Sequence, residues 1–258
     1  MINAGTIYHW IDQLAPFTTA MDFDNAGFLV GSREAEVEKV LLALDITPAV
    51  VAEASDWGAD LIISHHPVIF SPLRTLPADS PVYLLAQKGI AAICAHTNLD
   101  MASWGVNTCL AERIGLQGVR GMDADPNTGV APWFLGSLAA PMAPEAFAKQ
   151  VGTALSCSGL RFVDGGKPVL RVGLCSGSGA DFLSAAQQAG ADAFLTADTR
   201  HHQLLEAQAA GITLVDAGHF ATEDVVIGPL CERLAGAFPT VSFRKSVSHC
   251  DPARYLVF

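Results

Sequence analysis

The chain has 258 residues, half of them apolar and only 16% charged, with a mean hydropathy of +0.33, so it is globular rather than disordered. A formal charge of −11 argues against a nucleic-acid backbone as partner, which would require clustered Lys and Arg. No apolar run approaches the ~20 residues that span a bilayer.

The opening, MINAGTIYHWIDQLAPF, lacks the basic region and continuous apolar core of a secretory signal. Its Ile7, Trp10, Ile11 and Leu14 recur at helical spacing. From there, strands are predicted near 39–45, 60–65, 90–96, 133–138, 168–175, 192–197 and 212–216. Helices are predicted near 6–15, 48–58, 80–88, 105–115, 144–155, 180–189, 201–210 and 223–236. Such alternation implies an α/β fold with mainly parallel sheets covered by helices. Residues 117–132, rich in Gly, Asp, Asn and Pro, read as the link between two lobes, 1–122 and 123–258. The run Arg254–Phe258 is a candidate edge strand that returns to the first lobe. The six cysteines form no CxxC pair, which fits reduced thiols and a cytoplasmic location.

An internal echo suggests that the lobes are similar. Gly58-Ala59-Asp60 leads a strand ending in His65-His66, and Gly190-Ala191-Asp192 leads one ending near His201-His202. Gly89-Ile90 opens a strand that runs to His96 and Asp100, and Gly211-Ile212 opens one that runs to His219 and Glu223.

Histidine placement carries the chemistry. Eight histidines in a chain of this length give about 0.2 adjacent pairs by chance, and two occur. Six of the eight fall just past predicted strand ends, where open α/β sheets place their ligands. In Ser64-His65-His66-Pro67 the proline holds its predecessor extended. Asp100 adds a hard oxygen, and His219 and Glu223 are spaced to share one side of a helical turn. Three imidazoles and two carboxylates exceed what one tetrahedral ion needs and suit two divalent ions with a carboxylate bridging. The thiolate-free set is compatible with zinc, iron or manganese. His96, Asp198, His201 and His202 are candidates for outer support or proton transfer. His9 and His249 have no supporting context, and Asp24–Phe28 reads as a turn. Ser176-Gly177-Ser178-Gly179 reads as a strand-to-helix turn and a candidate anion cradle, without the Lys of a P-loop.

Several blocks occur in an order that resembles a known family. They are Asp24–Gly31, Leu44-Asp45-Ile46-Thr47, Ser64–Pro67, His96–Asp100, Thr196–His202 and Gly218–Glu223. The chain resembles the Nif-three-like family, also known as dinuclear-metal-centre hexameric proteins or GTP cyclohydrolase 1 type 2 homologues. The resemblance implies two similar α/β lobes, a dinuclear metal cleft between them and a toroidal homohexamer. It carries the metal ligands onto His65, His66, Asp100 as bridge, His219 and Glu223. It also implies the short form, without the inserted middle domain of longer members. Ala197, where the family often has Gly, and the stretch Ser246–Phe258 depart from the pattern.

Three function classes follow. The first is a metal-dependent hydrolase of a nucleotide or related heterocycle, with GTP cyclohydrolase chemistry (opening of the purine ring at C8 with release of formate) as its specific form. The second is non-enzymatic metal storage, insertion or regulation. A two-metal phosphatase or phosphodiesterase is the third.

Overall fold

A computed structural model describes residues 1–256. The chain begins with α1 (Ala4–Leu14), β1 (Gly27–Val30), β2 (Lys39–Ala43), α2 (Pro48–Trp57), β3 (Leu61–Ser64), α3 (Pro81–Lys88), β4 (Ala91–Cys94) and α4 (Thr97–Met101). It continues through α5 (Val106–Arg113), β5 (Gln117–Met122), β6 (Trp133–Met142), α6 (Pro144–Ala154), β7 (Arg161–Val163) and β8 (Val169–Leu174). Then come α7 (Leu183–Gln188), β9 (Ala193–Thr196), α8 (His201–Ala210), β10 (Thr213–Asp216), α9 (His219–Glu223), α10 (Ile227–Ala237) and β11 (Ser242–Lys245). Local chemistry starts the helices: Asn3 Oδ1 accepts from the Thr6 amide at α1, and Thr47 and Ser80 cap α2 and α3, each with Pro following.

The chain divides into two compact units, one of Met1–Ala102 with Val226–Cys250 and the other of Ser103–Val225 with Asp251–Phe258. This differs from a cut at 122/123. Residues 117–122 are strand β5, hairpin-paired with β6, and the intervening turn is held by Asp125 Oδ1 accepting from the Asn127 and Thr128 amides. The strand that returns to the first unit is β11, paired parallel to β2, and not the run 254–258. Residues 254–256 form no strand, and 257–258 lie outside the described residues.

The first sheet has the order β1-β4-β3-β2-β11 and is parallel except for β1. The second, β5-β6-β8-β9-β10-β7, is mixed rather than mainly parallel: only β8–β9 and β9–β10 run parallel. The β5–β6 hairpin, the link from β6 to β8 through α6 and β7, and the placing of β7 beside β10 set these antiparallel pairings. Leu41, Ile62, Val50, Ala54 and Leu85 fill the first core. Trp133, Leu135, Phe194, Leu214 and Ala186 fill the second.

The internal echo is structural. Asp60 Oδ2 accepts from the amides of Glu38 and Lys39 at the start of β2, and Asp192 Oδ2 accepts from Leu170 and Arg171 at the start of β8. Lys39 Nζ donates to Trp57 O (3.0 Å), and Arg171 Nη2 donates to Ala189 O (2.8 Å). Thus β2, β3 and β4 of one unit correspond to β8, β9 and β10 of the other. On this correspondence His65 matches Ala197 and His66 matches Asp198, a correction to the pairing with His201-His202. Replacing Asp60 with Ala leaves two strand-start amides to partial hydration. A loss of about 1–2 kcal/mol is expected, measured as a lower urea midpoint with unchanged slope.

Candidate functional site

In the first unit, β3 lies between β2 and β4, so the C-terminal ends of three parallel strands open side by side. The His65 amide still bonds Ala43 O and the His66 amide bonds Leu44 O, which extends the ladder two residues beyond β3. The buried ring of His65 sets Nδ1 2.8 Å from Ala95 O. His66 Nδ1 lies 2.7 Å from Asp45 Oδ1, and His96 Nδ1 lies 2.8 Å from Asp24 Oδ1. Each neighbour is an acceptor, so each ring carries its hydrogen on Nδ1 and presents Nε2 as the lone-pair atom.

The three rings converge, with centroids 5.0–5.5 Å apart and one ring nitrogen of each within 4.8 Å of the others. Asp100, on α4, brings Oδ1 to 3.4 Å from His65 Nε2. Asp24 anchors the start of α4 as well, since Oδ2 accepts from both the amide and the hydroxyl of Thr97. Burial pulls the Asp24 carboxyl up, but the hydrogen bonds it accepts from His96 and Thr97 outweigh it and hold the group at about 2.

In the second unit, α9 is a single turn, followed by a 3-10 turn over Asp224–Val226 and then α10. This replaces the one helix predicted over 223–236. His219 Nε2 and Glu223 Oε2 lie 2.9 Å apart across that turn, and Glu223 is buried. His219 Nδ1 lies 2.7 Å from Asp198 Oδ2, which also accepts from Ser178 Oγ at 2.9 Å. The glycine-rich turn packs on this pair. A Cβ at Gly177 would overlap Glu223 Oε1 and come within 3.2 Å of His219 Cε1. The amides of Ser176, Gly177 and Gly179 donate to Asn107, Thr222 and Thr196 side chains. That use of the donors corrects the anion-cradle reading: the turn is a wall behind Glu223.

His201 and His202 are exposed on the first turn of α8, where the Gln203 side chain caps the Arg200 amide. Among the described residues, no metal-ligand grouping contains them. His249, set aside from the sequence, accepts from the Leu44 amide at 3.0 Å and secures the returning segment. From sequence alone Asp24 reads as a turn residue, and Asp45 and Gly177 carry no role at the ligands. The resemblance blocks containing Asp24 and Asp45 were the available signal.

A lone pair on Nε2 beside a carboxylate oxygen sets acceptor against acceptor unless a proton or cation lies between them. Both units make this juxtaposition, at His65–Asp100 and at His219–Glu223, with each imidazole oriented from behind. The donor sets therefore fit divalent ions, and the backing acceptors are the usual outer partners of metal-bound imidazole.

The profile of the Duf34/NIF3 (NGG1p interacting factor 3) family matches residues 2–252. This chain belongs to the NIF3 family. Among its NIF3 relatives, a GTP cyclohydrolase 1 type 2 homolog of Clostridium perfringens is 31% identical over 257 residues, covering 97% of this chain and 98% of that one. One from Campylobacter jejuni is 36% identical over 222 residues, covering 84% and 86%. The crystal structure of Staphylococcus aureus hypothetical protein SA1388 superposes with a TM-score of 0.93 at 29% identity, covering 99% of each chain. A Staphylococcus aureus relative aligns over 358 positions, more than the 258 residues here, so this NIF3 chain is shorter than that one. No helix among the described residues is long and apolar enough to cross a membrane.

Proposed function

We propose that this NIF3 protein is a metal-dependent hydrolase of a nucleotide or related heterocycle, with His65, His66, Asp100, His219 and Glu223 as ligands of two divalent ions. The observation that supports it is the convergence of oriented Nε2 lone pairs and carboxylate oxygens in each unit. A bound pair of divalent ions supplies Lewis acidity and lowers the pKa of water toward neutrality. The chain's own part is to fix the donors. Asp45 and Asp24 hold the His66 and His96 rings, and the Ala95 carbonyl holds His65. Gly177 leaves the space in which the buried Glu223 carboxylate sits. The relatives' shared name, GTP cyclohydrolase 1 type 2 homolog, supports purine nucleotides as the first substrates to try. The proposal includes a homohexamer in the cytoplasm, both carried by the resemblance and the sequence rather than by the geometry.

The test is metal content per subunit of natively purified protein, paired with turnover of GTP and a nucleotide panel by the same sample. About two transition ions with metal-dependent turnover are expected. Two ions without turnover would move the reading to metal storage or insertion. No bound metal, even after reconstitution, would overturn it.

A further inference from the structure

The internal repeat singles out one residue that the ligand set does not use. Asp198 stands in the second unit where His66 stands in the first, at the C-terminal end of the matching strand. Its backbone is left-handed, with φ of 51°, a region that non-glycine residues enter at a cost and Asp tolerates better than most. Oδ2 of this side chain lies 2.7 Å from His219 Nδ1 and accepts from Ser178 Oγ at 2.9 Å. Ser178 in turn belongs to the glycine turn whose Gly177 packs on Glu223.

We infer that Asp198 is the positioning residue of His219, held in a left-handed conformation so that its carboxylate fixes the ring with hydrogen on Nδ1 and the lone pair on Nε2 toward Glu223. The inference rests on the reading of His219 as a metal ligand. The repeat gives it a simple logic. In the first unit the residue two beyond the strand end is an imidazole, and a carboxylate from another strand end, Asp45, orients it. In the second unit that position is itself the orienting carboxylate, and the imidazole comes from the next strand's crossover. One scaffold thus places an Asp–His pair in each unit with the roles of the strands exchanged. Because Asp198 receives both Ser178 and His219, it ties ring orientation to the turn that walls off Glu223. It touches the metal chemistry only through His219, so it is not itself a catalytic residue.

The variants that isolate the carboxylate are Asp198→Asn and Asp198→Gly, since both residues accept a left-handed φ and an Ala would not. Asn keeps an acceptor oxygen for Nδ1–H, and Gly removes it. Long-range proton–nitrogen NMR on metal-free protein with 15N-labelled histidine reads directly which ring nitrogens carry hydrogen. Wild type and Asp198→Asn are expected to show His219 with hydrogen on Nδ1. Asp198→Gly is expected to shift it to Nε2, the form that prevails in water. Zinc titration against a chromophoric chelator should then show Asp198→Gly weakened by about 10–100-fold and Asp198→Asn by less. An Nε2–H tautomer in the wild type overturns the inference, as does an unchanged tautomer and zinc affinity in Asp198→Gly. If wild type binds no zinc at all, the proposed function fails, while the tautomer spectra still decide the role of Asp198.

Discussion

Asp100→Ala and His66→Ala are expected to strip the protein of most of its bound metal while leaving it folded. Asp100 supplies the carboxylate among the first-unit ligands, and without it His65 and His66 offer an ion only imidazole nitrogen. The loss in affinity should exceed the about 10–100-fold that follows removal of an outer partner. Neither side chain is core: Asp100 is 20% exposed and His66 is 22% exposed. In metal-free protein, Asp100→Ala removes an acceptor set 3.4 Å from the His65 lone pair, so its thermal midpoint should equal or exceed that of wild type. Saturating metal should raise the wild-type midpoint and leave the variant's nearly unmoved, because ligand-linked stabilisation requires affinity; it amounts to about 2.7 kcal/mol at a hundredfold excess over Kd. Elemental analysis and paired melting curves check both halves. Unfolding of either variant would make the residue structural instead.

Gly177→Ala is expected to damage both stability and metal binding. The position has φ of +57°, where an added Cβ meets its own backbone, and the same Cβ overlaps Glu223 Oε1. Glu223 is buried, so its carboxylate has no solvent to swing into and must shift within a packed wall. The overpacking and the left-handed backbone together should cost about 2–5 kcal/mol. Displacing Oε1 swings the whole carboxylate and takes Oε2 off its 2.9 Å approach to His219 Nε2, so zinc affinity should fall with stability. Ser178→Ala, which deletes only one hydroxyl donor, is the mild control. Wild-type urea midpoint and affinity in Gly177→Ala would falsify the packing described for Glu223.

The inner strands were legible because parallel strands covered on both faces read as unbroken apolar runs: Leu41–Leu44, Leu61–Ile63, Ala91–Cys94 and Ala193–Leu195. The strands that escaped were β1, β5, β7 and β11, and these are the four edges of the two sheets. Edge strands carry polar, charged or glycine residues that break the apolar run and discourage further pairing, as in Gln117–Met122 and Ser242–Lys245. Without β5 and β11 the lobe boundary fell too late in the chain and the return to the first unit was placed on the wrong segment.

The site divided along similar lines. His65, His66 and the His219–Glu223 spacing are local patterns, and the structure brings each local group together. What orients them is remote in sequence: Asp24 lies 72 residues from His96, and Asp45 lies 21 from His66. A lone Asp in a turn carries no mark of such a partner. Asp198 was singled out from its strand-end position, but its backbone handedness, which separates a positioning carboxylate from a loop residue, is invisible in sequence. His201 and His202 form a conspicuous pair that the fold spends on an exposed helix start.

The path of the chain through the two units also bears on how the protein is made. All six strands of the second sheet lie between residues 117 and 216, so that sheet can close as soon as this stretch has left the ribosome. The first sheet must wait. Its β2 strand, Lys39–Ala43, lacks its outer neighbour until Ser242–Lys245 emerges some two hundred residues later. Through most of synthesis a nascent chain therefore carries an apolar strand with an unpaired side, the kind of edge that recruits foreign strands. The segment 226–250 works as a late-arriving cover, and Glu53 fastens it by accepting from Ser246, Val247 and Ser248.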